Sequence, residues 1–269
     1  MSLKAENPIG IFDSGVGGLT VAHAVKQILP NESIIYFGDT AHLPYGDKSK
    51  ELITFYSRKI TEFFIESSCK SVVIACNTAS SYSYEALVDE FSDRVLIIDM
   101  VHPVVEYLVE KYDGGEIGII GTKGTISSRS YVKKISSYLP RNRVKTLATP
   151  LLVPMIEEGF VYDDISNAII RAYLGRKEIQ NIKHLILGCT HYPIIKNQIR
   201  KFYDFEIEIF DSTIAVNYLK EKLKEKDLLN TTKNIEDVFY FSDYTEYFEK
   251  IAKVFFEKEI KPVKMDIWQ

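Results

Sequence analysis

Two cysteines stand at matching points of the chain. Val72-Val73-Ile74-Ala75-Cys76-Asn77-Thr78 has a near copy in Leu185-Ile186-Leu187-Gly188-Cys189-Thr190-His191, and each copy ends an apolar run on a thiol. A thiol exchanges protons near neutral pH if its pKa is drawn down from about 8.5, which a helix N-terminus and nearby polar donors can do. Two thiols facing each other across a cleft would present one group to each face of a bound small molecule. A proton could then leave one face of a carbon while another arrives on the opposite face, which is stereoinversion at a carbon acid. His191, just past Cys189, is placed to help proton transfer there. Asp13, at the end of the first apolar run, could do the same beside Cys76 or hold a substrate ammonium. Asn77, Thr78, Thr122, Thr125 and Thr190 offer amide and hydroxyl groups to carboxylate oxygens without adding net charge.

These residues need strand ends to position them. A short apolar run bounded by polar turn residues reads as a parallel strand buried on both faces, and helices are expected over Ala79 to Phe91 and Pro193 to Phe202 after the two cysteines. Each thiol then sits at the carboxyl edge of an open α/β sheet, where such sheets bind ligands. Upstream, Ile9-Gly10-Ile11-Phe12-Asp13 reads as a strand, followed by a glycine turn and a helix to about Leu29. The layout returns in Glu116-Ile117-Gly118-Ile119-Ile120-Gly121 and the turn after it, so Gly121 matches Asp13 and the chain reads as an internal duplication. Between these lie an expected strand Ser33 to Phe37, a helix from about Ser49 to Ser67, a strand Val95 to Asp99 and a helix from about Val104 to Tyr112. Gly38 to Asp47 is too elaborate a loop for a mere connection, and loops of this kind at a strand edge usually bind something. Later come strand Arg143 to Thr149, helix Asp163 to Leu174, strand Glu206 to Phe210, helix Thr213 to Lys224, strand Asp237 to Ser242, helix Thr245 to Phe256 and a strand-like tail, Pro262 to Ile267.

Strands alternating with helices predict an α/β protein of two pseudo-symmetric, doubly wound domains with mainly parallel sheets and an active site in the cleft between them. The first domain is expected over residues 1–100 plus 211–269 and the second over 101–210, because the last segment is short for a domain of its own.

The composition excludes several classes. With 269 residues, 46% hydrophobic and 26% charged, the chain affords a sizeable core. A net charge of -4 gives no basic footprint for nucleic acid. No segment approaches the roughly 20 apolar residues that cross a bilayer, and the start lacks a signal-like apolar region, so a cytoplasmic protein is expected. Three cysteines (Cys69, Cys76, Cys189) make no disulfide framework, and no C-x-x-C or C-x-x-H spacing supports a metal. The glycine turn Ser14-Gly15-Val16-Gly17-Gly18 lacks the lysine and hydroxyl of a P-loop and does not fit the dinucleotide spacing.

Phe12-Asp13-Ser14-Gly15-Val16-Gly17-Gly18, Gly38-Asp39-Thr40-Ala41-His42-Leu43-Pro44-Tyr45-Gly46, Ala75-Cys76-Asn77-Thr78-Ala79 and Gly188-Cys189-Thr190-His191-Tyr192-Pro193 together resemble the glutamate branch of the aspartate/glutamate racemase superfamily, in the right order over residues 9 to 193. The resemblance implies a cofactor-independent enzyme interconverting L- and D-glutamate, in which Cys76 deprotonates the D isomer and Cys189 the L isomer. It implies substrate contacts from Asp13, Ser14, Pro44, Tyr45, Gly46, Asn77, Thr78, Thr190 and His191, with less distinctive matches at Thr122 and Thr125. A glutamate supporting catalysis falls on Glu157 or Glu158, with Glu157 favoured. It also implies a homodimer and a supply of D-glutamate for peptidoglycan. No pyridoxal phosphate or metal is expected, since the thiol route needs neither and no lysine stands in a Schiff-base context.

Plainer readings stand beside these. A single cysteine at the end of a buried strand is usually a small hydrophobe, and only the duplicated context lifts Cys76 and Cys189 above it. Cys69 has no counterpart and is expected to be structural. Asp13 could cap the following helix. His23, His42, His102 and His184 have no supporting motif. The rival functions are an aspartate racemase or another cofactor-free racemase or decarboxylase of the same layout, a non-catalytic two-domain protein that closes on a small anion, and a thiol redox protein.

Overall fold

A computed structural model describes residues 3–140, 143–232, 236–244, 246–257 and 259–268. Its first strand, β1 (Ile9–Asp13), is buried along its whole length and leads through the glycine turn into α1 (Leu19–Ile28). Then follow β2 (Ile34–Gly38), two short 3-10 turns at Thr40–His42 and Tyr45–Asp47, and α2 (Lys50–Glu66), capped by Ser49. β3 (Ser71–Ile74), α3 (Asn77–Phe91) and β4 (Leu96–Ile98) complete this half, and α4 (His102–Lys111) crosses to the next.

The second half repeats the order with β5 (Glu116–Gly121), the short helices α5 (Lys123–Ser128) and α6 (Ser130–Ser136), and β6 (Val144–Ala148). It continues through α7 (Leu152–Glu157), α8 (Asp164–Leu174), β7 (Ile182–Gly188), α9 (Lys196–Phe202) and β8 (Glu208–Phe210). The chain ends with α10 (Thr213–Glu225), β9 (Val238–Phe241), α11 (Glu246–Phe256) and β10 (Pro262–Lys264). Among the described residues no helix is long and apolar enough to cross a membrane.

All pairings are parallel, in one six-stranded sheet ordered β10-β9-β2-β1-β3-β4 and one four-stranded sheet ordered β6-β5-β7-β8. The run β2-β1-β3-β4 therefore matches β6-β5-β7-β8 strand for strand. The repeated Ile-Gly-Ile lies in the central strand of each, and Cys76 and Cys189 follow the equivalent strands β3 and β7. Both glycines serve packing. A Cβ on Gly10 would stand 2.6 Å from the Phe64 ring of α2, and one on Gly118 would stand 2.7 Å from Ile182. Strands of the last segment pair with the first sheet, with Ile35 opposite Val238 and Gly38 opposite Phe241.

The structure departs from the sequence expectations in a few places. α3 starts at Asn77 rather than Ala79, because Cys76 itself takes the cap position. Beyond Cys189 the chain first makes a 3-10 turn, Tyr192–Ile195, before α9. The helix after β5 is broken at Arg129, which adopts the left-handed conformation (φ 58°). α7 was not foreseen, since prolines interrupt its periodicity; Pro154 sits in the first turn, where no N–H partner is needed. The tail forms a strand only over Pro262–Lys264, and Thr245, the expected start of the last helix, lies outside the described residues.

Candidate active site

Cys76 ends the β3 side of the cleft. As the cap residue of α3 its sulfur accepts a hydrogen bond from the Ala79 N–H (3.5 Å) and lies 3.9 Å from Ser14 Oγ. Both contacts favour a thiolate. They lose to burial and to the neighbouring Asp13 charge, which push the Cys76 thiol up to about 12. Asp13 is itself completely buried at the end of β1. Burial raises its pKa, and the nearby His191 offsets this only in part. Its Oδ2 accepts the Gly15 N–H (2.9 Å), so the side chain closes the glycine turn, and the backbone N–H of Gly18 at the start of α1 also helps to hold its charge.

The Cys189 side is built differently. Its sulfur lies 3.7 Å from His191 Nδ1, and His191 Nε2 lies 2.9 Å from Glu157 Oε1 at the end of α7. Burial alone would lower the His191 pKa. The hydrogen bonds to Cys189 and Glu157, with their charges, outweigh it and raise the ring to about 10. Of the two candidate glutamates, Glu157 makes this contact; both border a neighbouring hollow, but Glu157 also lines the cavity that holds the two thiols, and Glu158 does not. Two residues outside the expected set confine the imidazole. A Cβ on Gly17 would stand 2.4 Å from the ring and from Thr190 Oγ1, so only glycine lets the first-half turn approach this closely, and Phe255 of α11 meets the ring edge-on at 5.1 Å.

Both thiols line one cavity of about 340 Å³, within the range of small-molecule sites. Asp13, Ser14, Pro44, Tyr45, Gly46, Asn77, Thr78, Thr122, Glu157, Thr190 and His191 share its wall. Thr125 does not; its hydroxyl lies behind the wall, 3.1 Å from those of Thr78 and Thr122, which are 2.8 Å from each other. Asn77 is fixed by the Tyr131 hydroxyl, which donates to its Oδ1 (2.6 Å). Among the described residues, Asn77 Nδ2 and Asp13 Oδ1 are buried without a hydrogen-bond partner. A buried donor and a buried acceptor left open beside a cavity suit a ligand carrying both a carboxylate and an ammonium. At the rim, Asp47 of the first half meets Lys123 of the second at 3.3 Å.

The geometry offers acid–base groups from both halves of the chain to one small cavity. A family profile described as Asp/Glu/Hydantoin racemase matches residues 19–217. The chain belongs to this racemase family. Its relatives include a protein of Geobacter metallireducens named glutamate racemase, 39% identical over 92% of this chain and 92% of that protein. A second of that name from Chlorobaculum tepidum is 37% identical over 98% of this chain and 97% of its own. Among solved structures, glutamate racemase from Francisella tularensis in complex with D-glutamate superposes with a TM-score of 0.91 at 38% identity, covering 98% of this chain and 99% of that one. Within this racemase fold the sequence pointed to nearly every polar side chain on the wall. It gave no sign of Gly17 and Phe255 as supports of His191, or of the rim pair Asp47 and Lys123. Gly17 carried a signal only as one member of a turn, and Phe255 is brought in from 64 residues downstream.

Proposed function

We propose that this racemase interconverts L- and D-glutamate by two-base proton transfer at Cα, with Cys76 and Cys189 on opposite faces of the substrate. The observation that carries the reading is the sharing of one small cavity by two thiols, each beside its own proton-handling partner. The glutamate racemases among its relatives, and the D-glutamate in the Francisella structure, support glutamate as the substrate.

With D-glutamate bound, the Cys76 thiolate takes the Cα proton and becomes a thiol. The electron pair left on Cα is neutralised from the other face by the Cys189 thiol, which becomes a thiolate, and L-glutamate results. The reverse reaction starts at Cys189. Because burial and the Asp13 charge favour the Cys76 thiol, its proton must first move, and buried Asp13 beside it is the acceptor at hand. On the other side His191, held by Glu157, exchanges the proton of Cys189. Asn77, Thr78 and Thr190 receive carboxylate oxygens, Ser14, Pro44, Tyr45, Gly46 and Thr122 enclose the rest of the molecule, and Asp13 also faces the ammonium. Thr125 acts through Thr78 and Thr122.

The same reading assigns residues 1–100 with 211–269 to one lobe and 101–210 to the other, so closure of the lobes would bring the thiols to the substrate. A cytoplasmic homodimer supplying D-glutamate to peptidoglycan follows from the family resemblance, and sedimentation of the purified chain tests the dimer. The substrate assignment is tested by following the optical activity of L-glutamate, D-glutamate and L-aspartate with purified protein. Inversion of both glutamate isomers supports it, whereas inversion of aspartate alone transfers the chain to the aspartate branch.

A further inference from the structure

Asp39 directly follows β2, and its side chain is completely buried. A carboxylate in such a place is tolerated only when donors answer it. Three side chains do so. The Tyr45 hydroxyl donates to Oδ2 (2.7 Å), the Ser242 hydroxyl donates to Oδ1 (3.0 Å), and His42 Nδ1 lies 2.8 Å from Oδ1 and 3.0 Å from Oδ2. Ser242 Oγ also accepts the Ala41 N–H (2.8 Å), so it holds the loop backbone as well as the carboxylate. It follows β9, and its own N–H bonds Gly38 O (3.0 Å), so this anchor belongs to the last segment of the chain.

Tyr45 lines the active cavity, yet its one hydroxyl proton is spent on Asp39, and burial together with the Asp39 charge keeps that hydroxyl protonated. The cavity is therefore bordered by the ring and backbone of Tyr45 and not by its hydroxyl as a donor. Behind the loop, His42 stacks on Tyr56 (4.2 Å, 23°) and meets Trp268 edge-on (4.7 Å, 85°). In front, there is no slack. A Cβ on Gly46 would stand 3.0 Å from Thr122 Cβ across the cleft, and one on Gly124 would stand 3.1 Å from Gly46 O. The backbone of this loop thus sets the gap between the two halves at the cavity wall.

We infer that Asp39 is a positioning residue for substrate binding, which fixes the Pro44-Tyr45-Gly46 wall of the cavity to the C-terminal segment through Tyr45 and Ser242. Asp39 touches no substrate. It sets where the wall stands before substrate arrives, and a preformed wall lowers the ordering cost of binding. The inference rests on the reading of this cavity as the glutamate site.

Glutamate racemisation by the full-length chain is measured for the unaltered protein, Asp39→Asn, Tyr45→Phe, Ser242→Ala and the double variant Asp39→Asn/Tyr45→Phe, each well below its melting temperature. Loss of a wall contact made equally in ground and transition states raises KM by about tenfold in Asp39→Asn and leaves kcat within about threefold. Because Asp39 and Tyr45 act through one hydrogen bond, the double variant is expected to be no worse than Asp39→Asn alone. Tyr45→Phe and Ser242→Ala carry the same KM-selective prediction and decide the matter if Asp39→Asn fails to fold. An unchanged KM, a fall in kcat alone, or losses that multiply in the double variant overturn the inference. If the unaltered protein does not racemise glutamate, the substrate reading itself has failed.

Discussion

Glu157→Gln isolates the charge that supports His191. The substitution keeps the size of the side chain and a hydrogen-bonding oxygen near Nε2, and removes only the negative charge at 2.9 Å. His191 is lifted from 6.5 to about 10 against its own burial, by hydrogen bonds and charges from Cys189 and Glu157. The Glu157 side chain is 30% exposed, so solvent screens part of its effect. A charge-assisted hydrogen bond in this setting contributes about 1.5 to 3 kcal/mol, so its loss lowers the His191 pKa by about one to two. The sign is fixed by the cation: a raised histidine pKa means that the ring stays protonated up to about pH 10, and weakening its anionic partner moves that limit down. The alkaline arm of kcat/KM is therefore expected to shift to lower pH by about one to two, so that kcat/KM falls by no more than about twofold near pH 8 and by about 5- to 50-fold near pH 10, where the proton donor on the Cys189 side is depleted. The two enantiomers have equal free energies, so kcat/KM must fall by the same factor in both directions. The assay is the optical rotation of each glutamate isomer from pH 6 to above pH 10. Glu158→Gln, whose side chain borders the neighbouring hollow, is the matched control. An alkaline arm that stays in place in Glu157→Gln, with unchanged kcat/KM, refutes the coupling of Glu157 to proton transfer.

Further outcomes follow from the same geometry. Cys76→Ala and Cys189→Ala are each expected to lower racemisation about 10²- to 10⁴-fold, the usual range for a positioned acid or base, as read by the same polarimetric assay. Asp13→Asn removes the charge that, after burial, contributes most to raising the Cys76 thiol, so alkylation of Cys76 near pH 8, followed by mass spectrometry of its peptide, should speed up, whereas in the unaltered protein it should climb steadily with pH toward about 12. Gly17→Ala would set a methyl group 2.4 Å from the His191 ring, and the resulting displacement should lower kcat while costing about 1 to 3 kcal/mol of stability in thermal unfolding. Cys69, buried in the core and pushed up to about 12 by burial alone, should tolerate Ala with unchanged kcat and a loss of about 1 to 2 kcal/mol.

Much of the site was legible because its residues cluster at strand ends. Asp13, Cys76 and Cys189 each stand at the end of an apolar run that reads as a buried strand, and the repeated Ile-Gly-Ile relates the two halves. Legibility ended where partners come from afar. The Asp39 carboxylate looked like one polar residue in a polar loop, and its pairing with Ser242 spans 203 positions. Phe255 reads as one apolar residue on an amphipathic helix, and nothing local says that its ring edge meets His191. The choice between Glu157 and Glu158 also lay beyond the sequence, because it turns on which side of α7 faces His191, and Pro150 and Pro154 hide that helix from a periodicity reading. The helix-terminus logic identified the place of Cys76 but could not by itself say whether its pKa is drawn down. An N-terminal dipole and two hydrogen bonds are weaker than full burial beside a carboxylate.

The two-base mechanism proposed above assigns a different thiol to each face of one carbon. Its most direct test is the early phase of the reaction of D-glutamate in deuterium oxide, with both isomers separated and the Cα position weighed by mass spectrometry. Two bases predict that newly formed L-glutamate carries deuterium at Cα while the remaining D-glutamate is still protiated. Equal labelling of both isomers from the outset, or L-glutamate that retains the original proton, would mean that one group serves both faces and would contradict the account.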